Sequence, residues 1–141
     1  MVDQTATSGS YNYTTATWRQ REGSATNNQV NLIVGWADVQ MELVNTSFAS
    51  GTGAATEPIS VGEDSTSVAL NAGVGGLARF GGATSTTIIP LVYVLKKYPA
   101  VGKHTYAALE YSGAVGTTTW YAAVGFTAAT SVAGLLGSIQ G

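Results

Sequence analysis

The sequence predicts an all-β chain, an antiparallel two-sheet sandwich of the jelly-roll kind, on three observations. Apolar residues recur with period two in short runs, the spacing of a strand with one buried face. Gly-rich turns separate those runs, and no stretch of ten or more residues carries helical spacing. Charged residues make up only 10% of the 141, with Gly, Ser and Thr filling the gap, while 45% are hydrophobic. Disorder needs low hydrophobicity together with high charge, so this balance points to a folded, turn-rich β domain.

Taken in order, residues 1–28 are polar, with Tyr11, Tyr13 and Trp18 interleaved. Two readings stand: a loose terminal arm, or, since rings at that density are poorly tolerated in water, an arm docked on its own domain, a sister subunit or a larger particle. Residues 29–141 form the single folded domain. Val30, Leu32, Val34 and Trp36 share one side of a strand. The phase shifts near Ala37-Asp38, implying a turn or bulge, and Val39, Met41 and Leu43 resume the alternation. SFASGTGAATEP reads as a turn-rich connection before a short strand through Ile59 and Val61. In TSTTIIPLVYVLKKY, Ile89, Leu91, Tyr93 and Leu95 lie on one side, and Ile88, Val92 and Val94 on the other. A strand apolar on both faces must be covered on both, and the simplest second cover is a neighbouring subunit. Pro90 marks an edge or bulge there, since proline donates nothing to a ladder. Strands around KHTYAALEY and TTTWYAAV follow, joined by SGAVG, and GLLGSIQG closes the chain.

Net charge is −2, and among the six cations only Lys96-Lys97 are adjacent, so no nucleic acid is expected as a partner. The absence of cysteine excludes disulfides, thiolate metal sites and cysteine nucleophiles. The opening MVDQTATSGS has neither a basic nor an apolar stretch, so no signal peptide is expected, and no run approaches the ~20 apolar residues of a membrane span. His104, the sole histidine, could be drawn into a triad with Asp64 and a serine, but no G-x-S-x-G elbow accompanies it; a structural hydrogen bond or a place at a subunit contact is the plainer expectation. Glu63-Asp64 with Ser65 and Thr66 could offer oxygens to Ca²⁺, yet too few in order for a dedicated loop, and a turn between strands is expected instead. Glu42 and Glu110 could be paired as in a glycosidase, but nothing in the spacing brings them together. The glycines at 73–76 and 81–82 lack the helix and lysine of a phosphate loop and read as turns. No cofactor, metal or catalytic residue is expected, and the chain reads as a non-enzyme. Trp120 and Tyr121 fall on opposite faces of one strand, so one suits the core and the other an interface or a sugar-stacking surface.

Three segments then carry a resemblance: ISVGEDSTS, AVGKHTYAALEYSGAVGTTTWYA and the terminal GLLGSIQG. In their order and spacing, across about residues 36–141, they resemble the TNF-like jelly-roll domain found at the C-termini of tailed-phage virion and fibre proteins. Members of that family usually carry a bulky aromatic where Ala107 or Ala108 stands, and Gly at Ala122. The resemblance implies a homotrimer with no chemistry of its own, located on the outer surface of the virion. Ile88, Val92, Val94 and one of Trp120 and Tyr121 are then expected nearest the threefold axis. Two roles follow. One is a capsid decoration, cement or head-fibre protein gripping the major capsid protein or other virion proteins through Tyr11, Tyr13 and Trp18. The other is the receptor-binding knob of a tail fibre that recognises a host surface glycan. The short arm favours the first.

Overall fold

The computed structural model describes residues 2–5, 9–53, 56–70, 73–79, 87–124 and 131–140. These form fourteen strands. The first seven are β1 (Val2–Thr5), β2 (Ser10–Tyr13), β3 (Trp18–Gln20), β4 (Gln29–Val34), β5 (Gln40–Gly51), β6 (Thr56–Glu63) and β7 (Val74–Gly75). The rest are β8 (Leu77–Arg79), β9 (Ile89–Lys97), β10 (Gly102–Tyr111), β11 (Thr118–Tyr121), β12 (Ala123–Val124), β13 (Ser131–Val132) and β14 (Gly134–Gln140).

Two antiparallel sheets face each other, each built around one long strand. In sheet A the twelve-residue β5 is central. Along one side runs β9, in register from Met41↔Lys97 to Ala49↔Ile89, with β7 beyond it. Its other side is shared end to end: β14 pairs with Gln40–Thr46 and β11 with Phe48–Gly51. Outside these lie β1 on β14 and β2 on β11. Sheet B repeats the plan around β10, with β6 and then β8 on one side, and β4 and β3 end to end on the other. A separate two-stranded ribbon pairs β12 with β13.

Alternation decides which residues fill the space between the sheets. Met41, Leu43 and Ala49 of β5, Leu91, Tyr93 and Leu95 of β9, and Leu135 of β14 face Val30, Leu32 and Val34 of β4, Ile59 and Val61 of β6, and Tyr106 and Ala108 of β10. Pro90 lies beyond the reach of β7, where no described strand lines the far edge of β9. The small residues of sheet B also have a steric role. Gly62, opposite Ala107, lies beneath the 65–68 turn, and a Cβ there would meet the Ser65 carbonyl oxygen at 2.2 Å.

Five expectations change. Residues 1–28 are not an arm beside a domain that begins at residue 29: β2 belongs to sheet A, β3 to sheet B, and Tyr13 is in the core. The rings of that segment therefore dock on their own subunit, Tyr11 against the core and Trp18 against Tyr111 with centroids 5.4 Å apart. Trp36 leaves the face it shares in sequence with Val34, because β4 ends at Val34 and Trp36 stands 70% exposed in the following turn. Of the segment read as a connection, SFASGTGAATEP, the first five residues continue β5, whose register with β9 holds through Ala49, and the last three open β6. Of the aromatic pair, Trp120 takes the core position opposite Ala49 and is fully buried, so it leaves the set of interface residues. Tyr121 faces outward, its hydroxyl 3.0 Å from Ser50 Oγ. Of the segment 73–76, read as a turn, Val74 and Gly75 form the short β7, and the glycines at 81–82 lie outside the described residues.

Candidate functional site

The residues singled out for chemistry fall in three separate places. His104 stands near the start of β10, beside the turn that follows β6. Its Nδ1 lies 2.8 Å from Asp64 Oδ2 and its Nε2 3.1 Å from the Ala100 carbonyl oxygen, so both ring nitrogens are engaged. Asp64 adopts a left-handed backbone (φ 50°), which lets its other carboxylate oxygen accept the Thr105 backbone N–H at 2.8 Å. The Ser65 hydroxyl accepts the N–H groups of Ser67 and Val68, at 3.2 and 3.0 Å, closing a serine turn. This serine faces its own turn, and among the described residues the imidazole bonds to Asp64 and Ala100 and to no serine. Beside His104, Glu63 accepts from Lys97 Nζ at 2.5 Å and from the Tyr106 hydroxyl at 2.7 Å. Lys97 belongs to sheet A and Glu63 to sheet B, so the pair clasps the sandwich at one end.

The electrostatics follow from these contacts. Burial works to raise the Glu63 carboxyl, but hydrogen bonds from Lys97 and Tyr106 outweigh it and hold the group below its ordinary range. Asp64 is also held low, by the Thr105 N–H and then by His104. The Tyr106 phenol is pushed up by burial and by Glu63. An open hollow of about 500 Å³ adjoins this cluster, lined by Asp64, Ser65, Thr66, Ser67 and Thr105. Among the described residues, no three acidic or histidine side chains converge as metal ligands.

The second place is a buried ionic network between the sheets. Glu110 projects inward from β10 and is fully buried. It accepts from the Tyr11 hydroxyl and from Arg19, whose Nε and Nη2 each lie at 2.7 Å. The Arg19 guanidinium also lies over the Tyr13 ring, 3.7 Å from its centroid. Arg21, equally buried, donates through Nη2 to Asn45 Oδ1 at 2.5 Å and to the Thr46 carbonyl at 2.7 Å. Burial raises the Glu110 carboxyl above its ordinary value, against the opposing pull of Tyr11 and Arg19, and lowers Arg21. Glu42, the other half of the glycosidase pairing, points outward from sheet A to Lys96 at 2.8 Å. The two carboxyls are not brought together.

The third place is the outward face of sheet A. Register sets its side chains in rows across the strands: Pro90, Phe48 and Tyr121; then Val92 and Thr46; then Val94, Val44 and Leu136; then Lys96, Glu42 and Ser138. Val92 is 48% and Leu136 38% exposed, and Ile88 and Val94 are half-buried. The expected face of β9 thus does point away from the core. Sequence reasoning missed its extension onto β5 and β14, because Val44 and Leu136 sit in strands that read as ordinary alternation. Comparison with models of known families, with curated proteins and with solved structures finds no match to this chain.

Proposed function

We propose that this chain is a non-enzymatic surface protein of a tailed-phage particle, a homotrimer of jelly-roll subunits that decorates or stabilises the capsid. The observation that carries the self-assembly is the outward face of sheet A. The four rows, carried by β9, by β5, and end to end by β11 and β14, span about 400 Å² at about 4.8 Å between strands and about 6.8 Å between rows. That face, Thr46 and the row of Lys96, Glu42 and Ser138 included, is about half of what one partner buries in a standard interface. Ile88, Val92, Val94 and Tyr121 fall on or beside it, with Val44, Phe48 and Leu136 as additions. Its charged row, Lys96 with Glu42, is internally neutralised, so a like face meets no unpaired charge. With Tyr11, Tyr13 and Trp18 held in their own subunit, contact with the major capsid protein falls to other surfaces.

Light scattering after size exclusion tests the assembly. The expected mass is about three times 14.4 kDa. Val92→Asp should reduce it to one subunit without unfolding the chain, since the side chain is half exposed. A stable wild-type monomer across micromolar concentrations overturns the reading.

One observation favours a second reading, a fibre knob that binds a host glycan. Trp36 and Tyr98 stand 70% and 62% exposed at one end of the sandwich. A hollow of about 80 Å³ adjoins Trp36, lined also by Ile33, Val39, Pro99 and Ile139. Exposed rings of this kind can stack on sugars. Cell binding that is lost in Trp36→Ala, with no binding to capsids, would favour the knob.

A further inference from the structure

The strand β4 pairs with β10 on one side only; no described strand pairs with its other side. The direction of its backbone groups follows from two bonds. Ala108 N–H donates to the Asn28 carbonyl, and Asp64 N–H to the Thr105 carbonyl. In an antiparallel ladder the residues that exchange bonds alternate. Even-numbered residues of β10 therefore bond to β4, and odd-numbered ones to β6. On β4, Val30, Leu32 and Val34 are committed to β10, and the N–H and C=O groups of Gln29, Asn31 and Ile33 point away from the sheet. Nothing in QVNLIV protects such an edge: it has no charge, no proline and no bulge. Ile33 is 83% exposed.

Beside this edge the sandwich is open. A hollow of about 150 Å³ is lined by Val30 and Leu32 of β4, Met41 and Leu43 of β5, and Gly137, Ser138 and Ile139 of β14. On this side β1 approaches β4, and its Val2 pairs with Gly137 at the border of the hollow. Gly137 helps keep the space clear, as a Cβ there would meet Leu43 Cδ2 at 2.5 Å. A space of about 150 Å³ is large enough for a group the size of benzene.

We infer that the open edge of β4 and the hollow beside it form a docking site for an extended segment of a different polypeptide, added to sheet B as an outer strand. The occupant is identified by its chemistry. Alternating backbone donors and acceptors along an edge are matched by another polypeptide backbone, and the hollow takes an aliphatic side chain from the inward face of that strand. A second copy joined edge to edge fits less well, because its own Val30, Leu32 and Val34 already fill its own core. The site is distinct from the outward face of sheet A and does not depend on the trimer.

Amide hydrogen exchange on the ¹⁵N-labelled full chain tests this. In the free protein Val30, Leu32 and Val34 should be protected, and Gln29, Asn31 and Ile33 should exchange freely. An end-capped heptapeptide alternating threonine with valine and leucine, at millimolar concentration, should slow those three amides about tenfold. An all-threonine heptapeptide should not. Ile33→Pro, which removes an outward N–H and leaves the β10 ladder intact, should abolish the protection, and Ile33→Lys should do so if the proline variant fails to fold. Free-state protection of Gln29, Asn31 and Ile33 equal to that of Val30 would mean that the chain covers its own edge, and would overturn the inference. Equal binding of the all-threonine peptide would overturn the role of the hollow. Protection that grows with protein concentration, without peptide, would make the occupant a second copy and overturn the separate partner.

Discussion

Replacing Glu110 with Ala should destabilise the fold by about 3 kcal/mol, and the partners it strands explain why. The carboxylate accepts the Tyr11 hydroxyl and two Arg19 nitrogens. Without it the half-buried Tyr11 hydroxyl has lost its acceptor, a loss of about 1–2 kcal/mol. The Arg19 side chain is 29% exposed and regains some hydration, so its loss is smaller, about 1 kcal/mol. The missing methylenes add about 1–2 kcal/mol, and relief of the buried carboxylate's own desolvation offsets part of the sum. Glu110→Gln keeps the shape and should cost about 1–2 kcal/mol. The assay is urea unfolding at fixed chain concentration, where a 3 kcal/mol loss moves the midpoint by about 1.5 M for a slope near 2 kcal/mol/M. Tyr11→Phe should cost about 1 kcal/mol in the wild type and close to nothing in Glu110→Ala, a coupling of about 1 kcal/mol. Coupling near zero, or a Glu110→Ala cost below about 1 kcal/mol, would refute the network.

Three further outcomes follow from the same geometry. Glu57 is fully buried with Oε1 unpartnered, and burial raises its carboxyl above the ordinary 4.5. The folded chain therefore keeps a proton that the unfolded chain releases, and stability falls as pH rises through that window. Glu57→Gln should raise the melting temperature at pH 7 by a few degrees, about 1 kcal/mol, and match wild type below about pH 4. Glu63 and Asp64 have the opposite sign: held low, they stabilise the fold above their ordinary range and lose that contribution as pH falls through their depressed values. Asp64→Asn should flatten the acid limb of a stability–pH curve, and an unchanged limb would contradict the assignment. Gly116 has φ +77°, and a Cβ there would lie 1.5 Å from the Thr52 carbonyl oxygen. Gly116→Ala should lower stability by more than about 1 kcal/mol in thermal melts.

The strands with strict alternation were legible from sequence because one buried face imposes period two. Val30 to Val34, Met41 and Leu43, and Leu91 to Leu95 all point as that rule requires. The rule carries no signal of where a strand stops, so Trp36 kept the phase of β4 after the backbone had turned. It also fails for β2 and β3, which are four and three residues long and mostly polar. Their strand character comes from partners far along the chain, and no local pattern records that. The network is hidden for the same reason: Arg19 meets Glu110 across 91 positions, and nothing local to either residue names the other. Parity placed Trp120 and Tyr121 on opposite faces, but only the register with Ala49 and Phe48 tells which face is inside.

That N-terminal segment also sets the order in which the chain can fold. Asn12 lies 107 positions from its partner Thr119, and β3 pairs only with the last residues of β10. A ribosome adding about 5–20 residues per second makes the partners of β2 about 5–20 s after β2 itself. Throughout that interval Tyr11, Tyr13 and Trp18 have no sheet to join, and the edges that will receive them do not yet exist. Contacts this distant in sequence favour slow folding, on the millisecond-to-second scale even once the chain is complete. The polar residues between the rings, Asn12, Thr14, Thr15 and Thr17 among them, then keep the waiting segment hydrated during synthesis.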